Sequence, residues 1–152
     1  MSLEKEIQQT RFRNERQKAM INLSYTQNWM NERFKKFLDR FNLTAQQFNI
    51  LRILRGAARP ISTLQIRERM LDKMSDTSRI VDRLILKDLA QKTICQHDKR
   101  LVDVKITEAG IEILTKLDML ANEMDSLVNG LTEAEARTFN KLLDKIRDVS
   151  PQ

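Results

Sequence analysis

Residues 97–110 read HDKRLVDVKITEAG. Two basic residues sit at a bend, a run of alternating apolar and charged residues follows, and a helix-start signal closes the stretch. Period-two alternation is the mark of a half-buried strand, so Val102, Val104 and Ile106 are expected to face inward and Asp103 and Lys105 to face water. Upstream, KTICQ at 92–96 supplies the partner strand, which makes a short ribbon with HDKR at its tip.

The surroundings of that ribbon are helical. The chain has 152 residues with only three Gly and two Pro, a balance suited to connected helices rather than a loop-rich β-protein. The first forty residues read as helix, with a break expected near Asn22–Ser24. Along it Trp29/Met30, Phe34, Phe37/Leu38 and Phe41 recur every three or four residues as one apolar stripe. Thr44 with Gln47 forms a capping box that opens a second helix into FNILRIL, ended by GAARP. Ser62 with Gln65 opens a third at ISTLQIRERM, where Leu64, Ile66 and Met70 are expected to be buried. LDKM (71–74) is a turn, and Ser75 is expected to cap a fourth helix in SDTSRIVDRLILKDL (75–89).

After the ribbon, Thr107 starts a helix expected to exceed twenty residues. Leu114, Leu117, Ala121, Met124, Val128 and Leu131 alternate spacings of three and four, the seam of a coiled coil. Thr132 with Glu135 caps a final helix carrying Phe139, Leu142, Leu143 and Ile146. A helix-turn-helix followed by a two-stranded ribbon is a winged helix. The fold expected is therefore mainly α with a small β-wing: a winged helix-turn-helix at 43–110, between N-terminal (1–42) and C-terminal (111–152) dimerisation helices.

Charge points to a polyanion. The net charge is +6; residues 1–43 hold nine Lys/Arg against five Asp/Glu, residues 44–110 thirteen against eight, and residues 111–152 five against eight. The basic excess avoids the C-terminal third, and double-stranded DNA is the first candidate partner. A major groove admits one α-helix, presented by the second helix of a helix-turn-helix. Ile80, Val81, Leu84 and Ile85 are expected on its buried side, with Asp76, Thr77, Arg79 and Arg83 on the other. Arg79 is placed for a bidentate contact to guanine, and Thr77 and Ser78 for a phosphate or a thymine methyl. The wing adds Asp98, Lys99 and Arg100: Arg100 for an adjacent minor groove, Asp98 to orient its guanidinium, and Lys99 against phosphate.

These residues resemble the multiple antibiotic resistance regulator (MarR) family of bacterial winged-helix transcription factors. The resemblance runs from about Leu43 to Gly110 and rests on LTAQQFNILRILRG, SDTSRIVDRLILKDL and DKRLVDVKITEAG. The Asp-x-Arg wing followed by an alternating strand and hydrophobic–Thr–Glu–x–Gly is its most specific piece. It implies a homodimer on a pseudo-palindromic operator, with recognition helices about 34 Å apart. It implies a repressor more than an activator, controlled by a small-molecule effector, with Arg100 in the minor groove and Arg79 at a base-contacting position. Trp29, Met30, Phe34 and Phe48 are the candidate pocket residues, and such stripes also serve as plain core. Two residues depart from the family pattern. Asp88 stands where Gly usually ends the recognition helix, and Lys92 stands where an Arg often pairs within the wing.

Other chemistries find few residues. One Cys (Cys95) allows no disulfide within the chain, suits a reducing cytoplasm, and leaves single-cysteine sensing or simple packing. One His (His97) builds no metal site, and no cofactor is expected. There is no Ser/His pairing, glycine-rich phosphate loop or H-E-x-x-H, so no enzyme is expected. No apolar run nears the ~20 residues a membrane span needs, and a soluble cytoplasmic protein is expected. The alternative of a different class is a winged helix that docks a protein, as an antirepressor or scaffold, without binding DNA.

Overall fold

The computed structural model describes residues 2–94 and 102–148, in two compact units, 1–116 and 117–152.

The first unit begins with α1 (Leu3–Glu6), and α2 runs unbroken over Glu15–Asp39. The helix break expected at Asn22–Ser24 lies instead between α1 and α2. There Gln8 takes φ 54°, and Asn14 caps α2 by accepting the Gln17 amide at 2.9 Å. Residues 22–24 contain neither Gly nor Pro, and polar residues without a competing cap partner do not interrupt a helix. Leu3 is buried, Lys18 pairs with Glu4, and the Tyr25 hydroxyl donates to Glu6 Oε2 at 2.8 Å.

Helix α3 (Ala45–Ala57) starts at the Thr44/Gln47 capping box, with Ala58 in the left-handed region at its end. Phe34 of α2 meets Phe48 of α3 edge-on, centroids 5.6 Å apart. Ile50, Leu51 and Leu54 are sealed against the rest of the unit. Next comes a two-residue strand, β1 (Ile61–Ser62), and Ser62 then caps α4 (Thr63–Arg69) with Gln65 as expected. Ile66 and Met70 are buried, but Leu64 is 64% exposed. It sits about 200° around the helix from Ile66, whereas Met70, four residues on, shares the Ile66 face.

Helix α5 (Thr77–Leu86) leads into β2 (Ala90–Ile94) and β3 (Val102–Ile106). The ribbon is three-stranded, ordered β1-β3-β2 and antiparallel throughout, with Ile61 opposite Val104 and Ile94 opposite Val102. Ile61 and Val104 are buried where the three strands overlap; Val102, expected to face inward, is 49% exposed because it lies beyond that overlap.

The β3–α6 junction explains Thr–Glu–x–Gly physically. Thr107 Oγ1 donates to the Asp88 carbonyl at 2.5 Å and accepts the Gly110 amide at 3.2 Å, while the Thr107 amide donates to the Leu89 carbonyl at 3.2 Å. A Cβ on Gly110 would stand 2.4 Å from that Leu89 oxygen, so only glycine lets α6 (Glu108–Met119) start this close to the end of α5.

The boundary between the units falls inside α6. The expected single helix of more than twenty residues stops at Leu120 (φ −104°, ψ 11°), then continues as α7 (Ala121–Asp125) and a 3-10 turn (Ser126–Val128). A 3-4 seam of apolar residues does not by itself hold a helix continuous. In the second unit the Thr132/Glu135 capping box opens α8 (Glu133–Arg147), and no residue of α7, the 3-10 turn or α8 is buried. Among the described residues no helix is long and apolar enough to cross a membrane.

Candidate nucleic-acid interface

The site begins with the turn between α4 and α5. The Leu71 amide donates to Asn49 Oδ1 on α3 at 2.9 Å, beside the buried Met70. Asp72 then folds the turn back: its carboxylate accepts the Ser75 hydroxyl at 2.6 Å and the Met74 amide at 3.0 Å. These bonds, the Ser75 hydroxyl foremost, hold the Asp72 carboxyl below its ordinary range. Because Asp72 captures Ser75, Ser75 does not cap α5. The cap is Asp76, whose Oδ1 accepts the Arg79 amide at 3.2 Å.

Starting α5 at Thr77 fixes which way each side chain turns. Thr77, Val81 and Leu84 lie at helical spacings of four and three, and all three are buried. Thr77 was expected on the DNA side, but it is 4% exposed and its Oγ1 is sealed with no hydrogen-bond partner among the described residues. It drops out of the contact set. Ile80 and Ile85, expected on the buried side, are half-buried flanks of that stripe. Asp76, Ser78, Arg79 and Arg83 are exposed, and Ser75 is half-buried. Arg79 Nε lies 4.0 Å from Asp76 Oδ2, with the two side chains 74% and 65% exposed.

Two lysines whose partners sequence reasoning missed hold α5 in place. Lys87, past its last turn, donates from Nζ to the Asn42 carbonyl at 2.5 Å and to Gln47 Oε1 at 3.1 Å, tying the helix to the α2–α3 junction. Lys92 on β2 pairs with Asp82 on α5 at 2.8 Å. Lys92 therefore keeps an ion pair, which joins the ribbon to α5. Partners 40 to 45 positions apart, as for Lys87, leave no local signal. The Asp88 departure is accommodated as well. Asp88 adopts φ 57°, its amide bonds the Ile85 carbonyl at 2.9 Å, and the Leu89 amide bonds the Leu84 carbonyl at 3.0 Å. That is a Schellman ending with Asp in the position that favours Gly.

The wing residues Asp98, Lys99 and Arg100 lie outside the described residues, as do Cys95 and His97. Of the candidate pocket residues, Phe34 and Phe48 touch. The Arg33 guanidinium stacks on the Trp29 ring at 3.7 Å, and Met30 is half-buried one turn before Phe34. Among the described residues no group of three or more His, Cys, Asp or Glu could hold a metal.

The comparisons with known proteins agree with this geometry. No family model matches the chain. It is 29% identical over 113 residues to the multiple antibiotic resistance protein MarR of Escherichia coli K12, spanning 73% of this chain and 78% of that protein. It is 26% identical over 129 residues to the HTH-type transcriptional repressor IacR of Pseudomonas putida, spanning 84% and 74%. A mutant of E. coli MarR complexed with operator DNA superposes with a TM-score of 0.77 at 25% identity, covering 90% of this chain and 99% of that one. Relatives that align over most of both chains, and the fold shared with the E. coli protein, make the chain similar in sequence and in structure to regulators of the MarR family.

Proposed function

We propose that this protein is a sequence-specific DNA-binding transcriptional regulator, a repressor, acting as a homodimer on a pseudo-palindromic operator. The observation that carries the reading is the exposed face of α5: Ser78, Arg79 and Arg83 project together from a helix pinned by Asp76 at its start and Lys87 at its end. Such a helix supplies donors to base edges without having to be ordered on binding. The relatives add support, since one is a repressor and another binds operator DNA. Residues 43–110 form the DNA-binding domain. Residues 1–42 and 111–152 provide the dimer contacts, and the 43%, 53% and 58% exposure of Phe139, Leu142 and Ile146 in the single chain is the apolar face a second copy would cover.

Within this reading the wing residues Asp98, Lys99 and Arg100 extend the contact into a minor groove. A small amphipathic effector, carried over from the family resemblance, sits against Trp29, Met30, Phe34 and Phe48. The chemistry is binding rather than catalysis, and the setting is the cytoplasm. Selection of duplexes from a random library, followed by titration at several salt concentrations, tests the proposal. The expected result is an enriched inverted repeat whose affinity falls steeply with salt. Failure to enrich any sequence, with no duplex binding at low salt, would instead favour the protein-docking alternative.

A further inference from the structure

We infer that Asp76 and Arg79 act as one reading unit for a single G·C base pair, with Arg79 on guanine N7 and O6 and Asp76 on the 4-amino group of the paired cytosine. This rests on the proposed DNA-binding function and assigns Asp76 a role beyond its helix cap. The cap uses Oδ1, which accepts the Arg79 amide at 3.2 Å. The other oxygen, Oδ2, stands 4.0 Å from Arg79 Nε. The carboxylate therefore lies beside the Nε corner of the guanidinium, and Nη1 and Nη2 have no partner among the described residues. One turn of helix thus presents two donors and, beside them, one charged acceptor, both side chains mostly exposed.

That pattern complements one base-pair edge. In the major groove guanine offers two acceptors, N7 and O6, and the cytosine 4-amino donor lies next to O6, about 3 Å away across their Watson–Crick hydrogen bond. An A·T pair places its single donor between two acceptors, so the arginine keeps one bond and the carboxylate faces an oxygen. A reversed C·G pair exchanges donor and acceptors. Capping does not require a carboxylate, because serine or asparagine caps a helix as well. A negative charge at a DNA-facing surface also weakens binding to unrelated duplex, which raises the specificity ratio.

The test uses the full-length protein, a duplex enriched by it from a random library, and Asp76→Ser, which keeps the cap and loses the carboxylate. At each G·C pair in turn, guanine is replaced by 7-deazaguanine, or cytosine by the 2-pyrimidinone analogue that lacks only the 4-amino group. At one pair per half-site the parent is expected to lose roughly tenfold for either replacement. Asp76→Ser should remain sensitive to 7-deazaguanine, become indifferent to the missing amino group, and bind unrelated duplex more tightly. Comparing the two proteins cancels the effect of the analogue on the duplex itself. If the parent binds its duplex specifically yet tolerates loss of the amino group at every pair, the inference is overturned and the proposed function stands. If no sequence is enriched, both fall.

Discussion

Gly110→Ala is the sharpest test of how the β3–α6 junction is built. The new methyl would lie 2.4 Å from the Leu89 carbonyl oxygen and 2.6 Å from Ile106 Cγ1. The isoleucine can rotate, but the carbonyl is held: Leu89 O accepts the Thr107 amide at 3.2 Å, and the Leu89 amide closes the end of α5. Relief therefore requires α6 to move by about 1 Å, an overpacking strain of about 1–3 kcal/mol and sometimes more. Alanine's better helix propensity returns at most about 1 kcal/mol. With that full return the net loss should be about 0–2 kcal/mol, and larger where the strain exceeds its usual range; 2 kcal/mol is a fall in Tm of roughly 4–8 °C for a chain of this size. Gly56, near the end of α3, is the internal control, because a Cβ there meets nothing within 4 Å. Gly56→Ala should gain up to about 1 kcal/mol. Urea unfolding of the three proteins at one fixed concentration, with unchanged m-values, reads both effects. A Gly110→Ala protein as stable as Gly56→Ala would refute the close approach.

Asp88→Gly should stabilise the protein by about 0.5–1 kcal/mol, because Asp88 holds a left-handed φ of 57° that glycine adopts freely; loss of stability in the same urea experiment would count against the Schellman ending. Thr77→Val should raise stability by roughly 1 kcal/mol by removing a buried, unpartnered hydroxyl, and should leave duplex affinity unchanged; a weaker complex would return Thr77 to the interface. Glu4 should titrate at about 2, held down above all by its hydrogen bond from Lys18. Its folded pKa lies below the ordinary 4.5, so its contribution to holding α1 on α2 is present above pH 4.5 and is lost as pH falls toward 2. Carboxyl NMR showing an ordinary titration near 4.5 would remove that pairing.

What the sequence discloses is whatever depends on near neighbours. The three capping boxes at Thr44, Ser62 and Thr132 form with the partners that three-residue spacing names. The alternation of 102–106 becomes β3, and TSRIVDRLIL, within the expected fourth helix, becomes α5 with one exposed face. The misreadings have a common origin in choices among competing local partners or in distant ones. Ser75 and Asp76 are both good caps, and only the Asp72 side chain decides between them. That one-residue shift leaves Thr77 on the buried stripe with Val81 and Leu84. Strand β1 is two residues long and exists because β3, some forty residues later, pairs with it. The break at Leu120 separates a seam whose Leu114 and Leu117 are buried from one whose Val128 and Leu131 stay 46% and 41% exposed. The heptad pattern foretells apolar residues on one side, not the continuity of the helix beneath them.

Whether the exposed face of α5 reads DNA sequence is decided by Arg79→Ala, measured against both a selected duplex and a scrambled one. The expected result is a loss of about 1–3 kcal/mol on the selected duplex, little change on the scrambled one, and relaxed preference at one base pair per half-site. Equal weakening on both duplexes would make Arg79 a phosphate contact and contradict the claim.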